Sequence, residues 1–116
     1  MTAISKHNKV ATLINVFIVE PQNQQKLVDM LTKATEATMK NIDGFISANI
    51  HKSLDGRRVV NYAQWQSVED FEAMTKIPEA MEHMKPINEI ATADFHLYEV
   101  TDSFDIHSLN SRSAPA

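Results

Sequence analysis

Val59-Val60-Asn61-Tyr62-Ala63-Gln64-Trp65 reads as a β-strand, because β-branched and aromatic residues dominate it and neither glycine nor proline interrupts it. Side chains alternate across a strand, so Val59, Asn61, Ala63 and Trp65 share one face while Val60, Tyr62, Gln64 and Gln66 share the other. The first face is the more apolar and is expected to face the core. It also carries an amide and the only tryptophan of the chain. A buried amide needs a hydrogen-bonding partner.

Just upstream, Ser53-Leu54-Asp55-Gly56-Arg57 reads as a hairpin turn, with Leu54, Asp55 and Gly56 as a three-residue loop and glycine at the left-handed position. That length places Ser53 opposite Arg57, His51 opposite Val59, Asn49 opposite Asn61 and Phe45 opposite Trp65. One face then collects Asn49, His51, Asn61 and Trp65. A two-residue loop of Asp55-Gly56 would instead send His51 to the other face. The plain alternative is that Asn61 satisfies a neighbouring backbone group, Trp65 fills the core and His51 ends a strand in solvent.

Outward from the hairpin, Val10 to Val19 is a nearly continuous apolar, β-branched run broken only by Asn15. Pro21 opens a helix in which Leu27, Met30, Leu31, Ala34, Thr38 and Ile42 recur at helical spacing until Asp43-Gly44. Ser67 suits a helix cap before Val68, Phe71 and Met74. Ile77-Pro78 breaks that helix, and a further turn carries Ala80, Met81 and Met84 towards Pro86. Ala93 to Val100 returns to strand character, with Phe95 and Leu97 on one face.

The order strand, helix, strand, strand, helix, strand is the split βαβ pattern of an α+β, ferredoxin-like βαββαβ fold, an antiparallel four-stranded sheet with helices on one face. Residues 1–9 form an extension, 10–101 the domain and 102–116 a tail. The bare face of the sheet is expected to carry Val10, Thr12, Ile14, Val16 and Ile18 with Ile46, Ala48, Ile50, Val60 and Tyr62. So large an apolar area predicts a homodimer formed sheet to sheet, with Phe104, Ile106 and Leu109 of the tail reaching the partner or left disordered.

The composition narrows the function. The chain has 116 residues, a formal net charge of -4 with both signs interspersed, and no cysteine. Arg57-Arg58 at a hairpin tip is no basic stripe, so nucleic acid is not expected. Thiolate metal sites, disulfides and cysteine nucleophiles are excluded, and the five histidines show no ligand-like spacing. No membrane-length segment and no signal-type leader are evident, which predicts a cytoplasmic protein.

The stretch Ile50-His51-Lys52-Ser53-Leu54-Asp55-Gly56, followed by Val59-Val60-Asn61-Tyr62-Ala63-Gln64-Trp65-Gln66-Ser67, resembles the antibiotic biosynthesis monooxygenase family of dimeric α+β barrels. Within it, the chain is most similar to the cofactor-independent anthrone monooxygenases of aromatic polyketide pathways. The resemblance implies catalytic roles for Asn61, Trp65 and His51, molecular oxygen as co-substrate, no prosthetic group and an aromatic small-molecule substrate. Asn15, Asn49, Phe71, Met74, Met81 and Met84 are the expected substrate contacts. The helix methionines, Met30 included, and Phe71 would form a soft wall for a planar ligand, although as plain core they need none.

Two departures bear on substrate: a second-helix tyrosine of the actinorhodin-pathway member is Phe71 here, and its arginine has no match between Glu72 and Glu89. The chemistry itself requires little of the protein. A deprotonated anthrone or hydroquinone can pass an electron to dioxygen, leaving the protein to supply a flat apolar slot, a donor to the developing enolate and a base, for which His51 is the candidate. Two alternatives stay open: a haem-degrading enzyme of the same superfamily using His83 and Asn15, and a non-catalytic dimeric binder of an aromatic molecule.

Overall fold

The computed structural model describes residues 2–7 and 9–106. The β-branched run forms β1 (Ala11–Val19). A single 3-10 turn at Pro21–Asn23 leads into α1 (Gln24–Ala37). The hairpin is β2 (Phe45–Lys52) and β3 (Arg58–Trp65), after which α2 (Val68–Met74) and α3 (Pro78–Ile90) precede β4 (Ala91–Tyr98). The strands lie in the order β2-β3-β1-β4 with every neighbouring pair antiparallel, the ferredoxin-like arrangement expected from the element order.

Strand parity decides which face the helices cover. Leu13 and Phe17 of β1 and Val59, Ala63 and Trp65 of β3 pack against Leu27 and Leu31 of α1, Phe71 and Met74 of α2, and Ala80 and Ile87 of α3 in two adjoining clusters. Leu27, Val59 and Ile87 are fully buried, each contributing roughly 1.5–3 kcal/mol.

The break between the second and third helices falls at Ile77, whose backbone is extended (φ -86°, ψ 117°) as befits a residue before proline. Two helix ends differ from the sequence reading. α1 stops at Ala37, not near Ile42, and Met39–Asn41 make a separate 3-10 turn. Thr38, between them, is drawn out of helical geometry (φ -132°) while its hydroxyl bonds α3. α3 in turn runs through Pro86 to Ile90. The proline deprives the Glu82 carbonyl of one helical bond, but it sits on the exposed side and the buried Ile87 beside it holds the last turn to the core.

The hairpin register corrects the sequence reading by one residue. Ser53 pairs with Arg58, whose carbonyl accepts from the Ser53 N–H at 3.0 Å, and the loop has four residues. Gly56 is left-handed as expected (φ 82°), but Arg57 also belongs to the loop. The cause is a side-chain network. Ser53 Oγ donates to Asp55 Oδ1 (2.7 Å), the Arg57 N–H donates to the same oxygen (3.0 Å), and the Arg58 N–H donates to Ser53 Oγ (2.9 Å). The Ser53 hydroxyl first, and then the Arg57 N–H, hold the Asp55 carboxyl below its ordinary value.

Asn49 therefore lies opposite Tyr62, His51 opposite Val60 and Ile50 opposite Asn61. Phe45 still meets Trp65, because an irregularity between Phe45 and Ser47 absorbs the extra residue. By parity Ala48 and Ile50 face the helices rather than the bare face, where Ser47, Asn49 and His51 take their places. That face is accordingly more polar than expected, with its apolar part centred on Ile14, Val16, Ile18, Val60 and Tyr62 and Tyr98 at its β4 edge. The segment before β1 crosses one corner of it. Thr2 Oγ1 donates to Ser47 Oγ (2.7 Å) and accepts from Asn49 Nδ2 (2.6 Å), while Gln64 Nε2 donates to the Ala3 carbonyl (2.8 Å). Phe104 and Ile106 are exposed; Leu109 lies outside the described residues.

Candidate active site

Between the sheet and its helices lies a cavity of about 320 Å³. Its floor is made by alternate residues of the two central strands: Leu13, Asn15 and Phe17 of β1, and Asn61, Ala63 and Trp65 of β3. α1 contributes Ala34 and Thr35, α2 contributes Phe71 and Met74, and α3 contributes Met81, Met84 and Asn88. Asn88 and Phe95 are exposed, which marks their side as the mouth.

Asn15 and Asn61 are direct cross-strand partners on this floor. The Oδ1 atoms of both are buried and have no hydrogen-bond partner among the described residues. Leaving such an oxygen unpaired costs about 1–3 kcal/mol, and two lie side by side on the cavity floor.

Trp65 is the hub of an aromatic chain. Its ring meets Phe45 edge-on at 5.5 Å between centroids and Phe71 at 6.2 Å, and Phe71 meets Phe95 at 6.1 Å. Such edge contacts fix the indole plane beyond what area burial alone would do. Methionines Met39, Met74, Met81 and Met84 complete an adaptable wall. No Asp, Glu, Lys, Arg or His is among the lining residues.

Asn15, Asn61, Trp65, Phe71, Met74, Met81 and Met84 are thus brought together as expected. Asn49 and His51 are not, and their assignment to this face is corrected. The one-residue shift turns both to the opposite side of the sheet. The Asn49 amide donates to Thr2 Oγ1 and to the Tyr62 carbonyl (3.1 Å), and the exposed His51 Nδ1–H donates to the Asn49 carbonyl (3.1 Å). Met30 packs in the cluster around Phe17 and Leu27, away from the cavity. His83, the candidate haem ligand, does not line the cavity, and its Nε2 is engaged by Thr38 at 3.0 Å.

Sequence reasoning missed Thr35, Thr75 and Asn88. Thr35 could have been found one turn after Leu31 on the same helix, whereas Asn88 required seeing that the helix continues past Pro86. Among the described residues no group of three or more His, Cys, Asp or Glu is placed to hold a metal ion, and no helix is long and apolar enough to cross a membrane.

The family model for antibiotic biosynthesis monooxygenase matches residues 11–85. Tetracenomycin-F1 monooxygenase of Streptomyces glaucescens is 41% identical over 104 residues, covering 90% of this chain and 93% of that protein. Among solved structures, an anthrone oxidase-like protein superposes with a TM-score of 0.77 at 31% identity over 84% of this chain, which spans only 42% of that longer chain. The monooxygenase ActVA-Orf6 of Streptomyces coelicolor, in complex with nanaomycin D, gives 0.69 at 27% identity over 83% of this chain and 93% of its own. SnoaB, a cofactor-independent oxygenase of Streptomyces nogalater, shares the fold at 19% identity, with a TM-score of 0.69 and coverage of 82% and 96%. On its matched core and its relatives, the chain belongs to the antibiotic biosynthesis monooxygenase family and is an enzyme of that monooxygenase class.

Proposed function

We propose that this enzyme oxidises an anthrone, quinol or related polycyclic phenol to a quinone with dioxygen and without a prosthetic group. The observation that supports the reading is the Asn15–Asn61 pair, whose buried Oδ1 atoms have no hydrogen-bond partner among the described residues, on the floor of an uncharged cavity walled by aromatic and methionine side chains. A flat, weakly polar ring system suits those walls, and its oxygen substituents suit the amides. The names of relatives that act on tetracenomycin F1 or hold nanaomycin D support the same substrate class.

In the proposed reaction the substrate loses a ring C–H proton to give a delocalised enolate. This passes an electron to dioxygen, the substrate radical and superoxide combine as a peroxide anion that takes a proton back from water to become the hydroperoxide, and loss of water leaves the new carbonyl. For an anthrone, a CH₂ group and O₂ thus become C=O and H₂O, with the substrate supplying every electron; a quinol instead gives two electrons and two protons to O₂ and leaves H₂O₂. Asn61 stabilises the enolate by turning its amide N–H towards the oxygen. In a dry site one such donor accounts for about 2.7–4 kcal/mol. Asn15 positions the neighbouring ring oxygen, and Trp65 stacks against the rings. No side chain of the lining can serve as base, so the proton passes to water at the mouth beside Asn88.

The active form is proposed to be a homodimer in which a second copy covers Ile14, Val16, Ile18, Val60 and Tyr62. Oxygen uptake by metal-free, flavin-free protein on a model anthrone tests the oxidation. Rapid uptake with quinone formation, lost in Asn61→Ala and Trp65→Phe, is expected. Binding of the polyphenol with no uptake above the spontaneous rate would instead mark a binding protein.

A further inference from the structure

Directly behind the cavity wall, one threonine joins two helices. Thr38 is 5% exposed, and its Oγ1 lies 2.6 Å from Glu79 Oε2 and 3.0 Å from His83 Nε2. The hydroxyl has one proton, and a carboxylate can only accept, so that proton goes to Glu79. His83 must then donate its own Nε2–H to the threonine oxygen. The chain of donation runs from imidazole to hydroxyl to carboxylate, and each bond polarises the next. This is the wrong direction for a nucleophile and its histidine base, in which the hydroxyl donates to the imidazole.

Its location suggests another task. Thr38 is flanked by Thr35 and Met39, and His83 by Met81 and Met84, and all four flanking residues line the cavity. α3 is cut off from α2 by the break at Ile77–Pro78, so its first turns are not held in line by a continuous helix. Glu79 lies in the first turn of α3, where the helix dipole favours its charge.

We propose that Thr38, Glu79 and His83 are positioning residues that fix the distance between α1 and α3, and so set how wide a ring system the slot grips. This rests on the reading of the cavity as a site for a polycyclic phenol. The reacting edge meets the floor amides on the sheet, while the fastener governs the helical wall. Loosening it should therefore weaken binding far more than it slows turnover.

The test uses two readouts on the whole chain: quenching of Trp65, the sole tryptophan, by unreactive anthraquinone, and oxygen uptake on the corresponding anthrone. In Thr38→Val the Kd for anthraquinone and the KM for anthrone should rise about tenfold while kcat changes less than threefold. Thr38→Ser, which keeps the hydroxyl, should stay within twofold of the parent. Glu79→Ala, at an exposed position, should reproduce the Thr38→Val effect, and the double variant should be no weaker than either single one. If Thr38→Val does not fold, Glu79→Ala decides. Binding within twofold of the parent in the folded variants overturns the fastener, as does an equal loss in Thr38→Ser. Parent protein that binds anthraquinone but consumes no oxygen overturns the oxidation reading and leaves the fastener to the binding data. Absence of binding by the parent overturns both.

Discussion

Asn61 answers two demands at once: it is placed on the helix-covered strand face by parity, and its Oδ1 has no hydrogen-bond partner among the described residues. Structural stability alone would favour an apolar residue at such a site, and the proposed contact of the amide with a substrate would account for the cost. Asn61→Ala is expected to lower kcat about a hundredfold with little change in KM, as followed by oxygen uptake; equal losses in binding and turnover would argue against a transition-state role. The pH dependence follows from the same lining. With no titratable side chain at the cavity, the rate should rise with the ionisation of whichever anthrone is supplied and shift when the acidity of that anthrone is changed, and His51→Gln should leave the profile unmoved. Asn61 and Trp65 were legible because alternation along one strand needs no knowledge of the rest of the fold. Asn49 and His51 were not, because their face depended on counting the residues of a loop whose length is set by hydroxyl and carboxylate contacts rather than by glycine alone.

Among the elements, the turns carry the most specific requirements. Gly44 has φ 90°, and a Cβ there would collide with the Asp70 side chain. Gly44→Ala is expected to cost more than about 1 kcal/mol, measurable as a lowered urea midpoint with unchanged slope. Asp70 is held in place because Ser67 Oγ accepts from the Asp70 N–H at 3.0 Å as the cap of α2; Ser67→Ala should cost about 1 kcal/mol. The hairpin loop has an acid signature. Because the folded Asp55 carboxyl is more acidic than its unfolded counterpart, the stability it contributes is fully present above the unfolded value, about 3.9, and is lost as pH falls through the folded one. Asp55→Asn should therefore be less stable than the parent at neutral pH and converge with it in acid, as seen by thermal unfolding. Existence and type of every strand and helix were readable from periodicity. The ends of α1 and α3 were not, because Thr38 is pulled aside by a helix forty residues later and Pro86 is retained by the burial of Ile87.

For the whole molecule, the unresolved balance on the bare sheet face sets the expected assembly. Its apolar centre is narrower than the sequence suggested, and the corner at Ser47, Asn49 and Gln64 is already occupied by the residues before β1. A partner should therefore seat on Val16 and its neighbours. Sedimentation should show a dimer for the parent, and Val16→Asp should shift it towards monomer by burying an unpaired charge. The irregularity at Phe45–Ser47 has a broader consequence for how such a chain can diverge. With the extra residue, both Phe45 and Ala48 reach the cavity although they differ in parity. A one-residue deletion at Ile46 would straighten the ladder and restore strict alternation, so the aromatic ring would stay opposite Trp65 on the cavity face and the amide pair on β1 and β3 would be untouched. A single-residue change of length is thus absorbed at that one position, so the start of the strand can lose a residue in one genetic step without moving either end of the cavity floor.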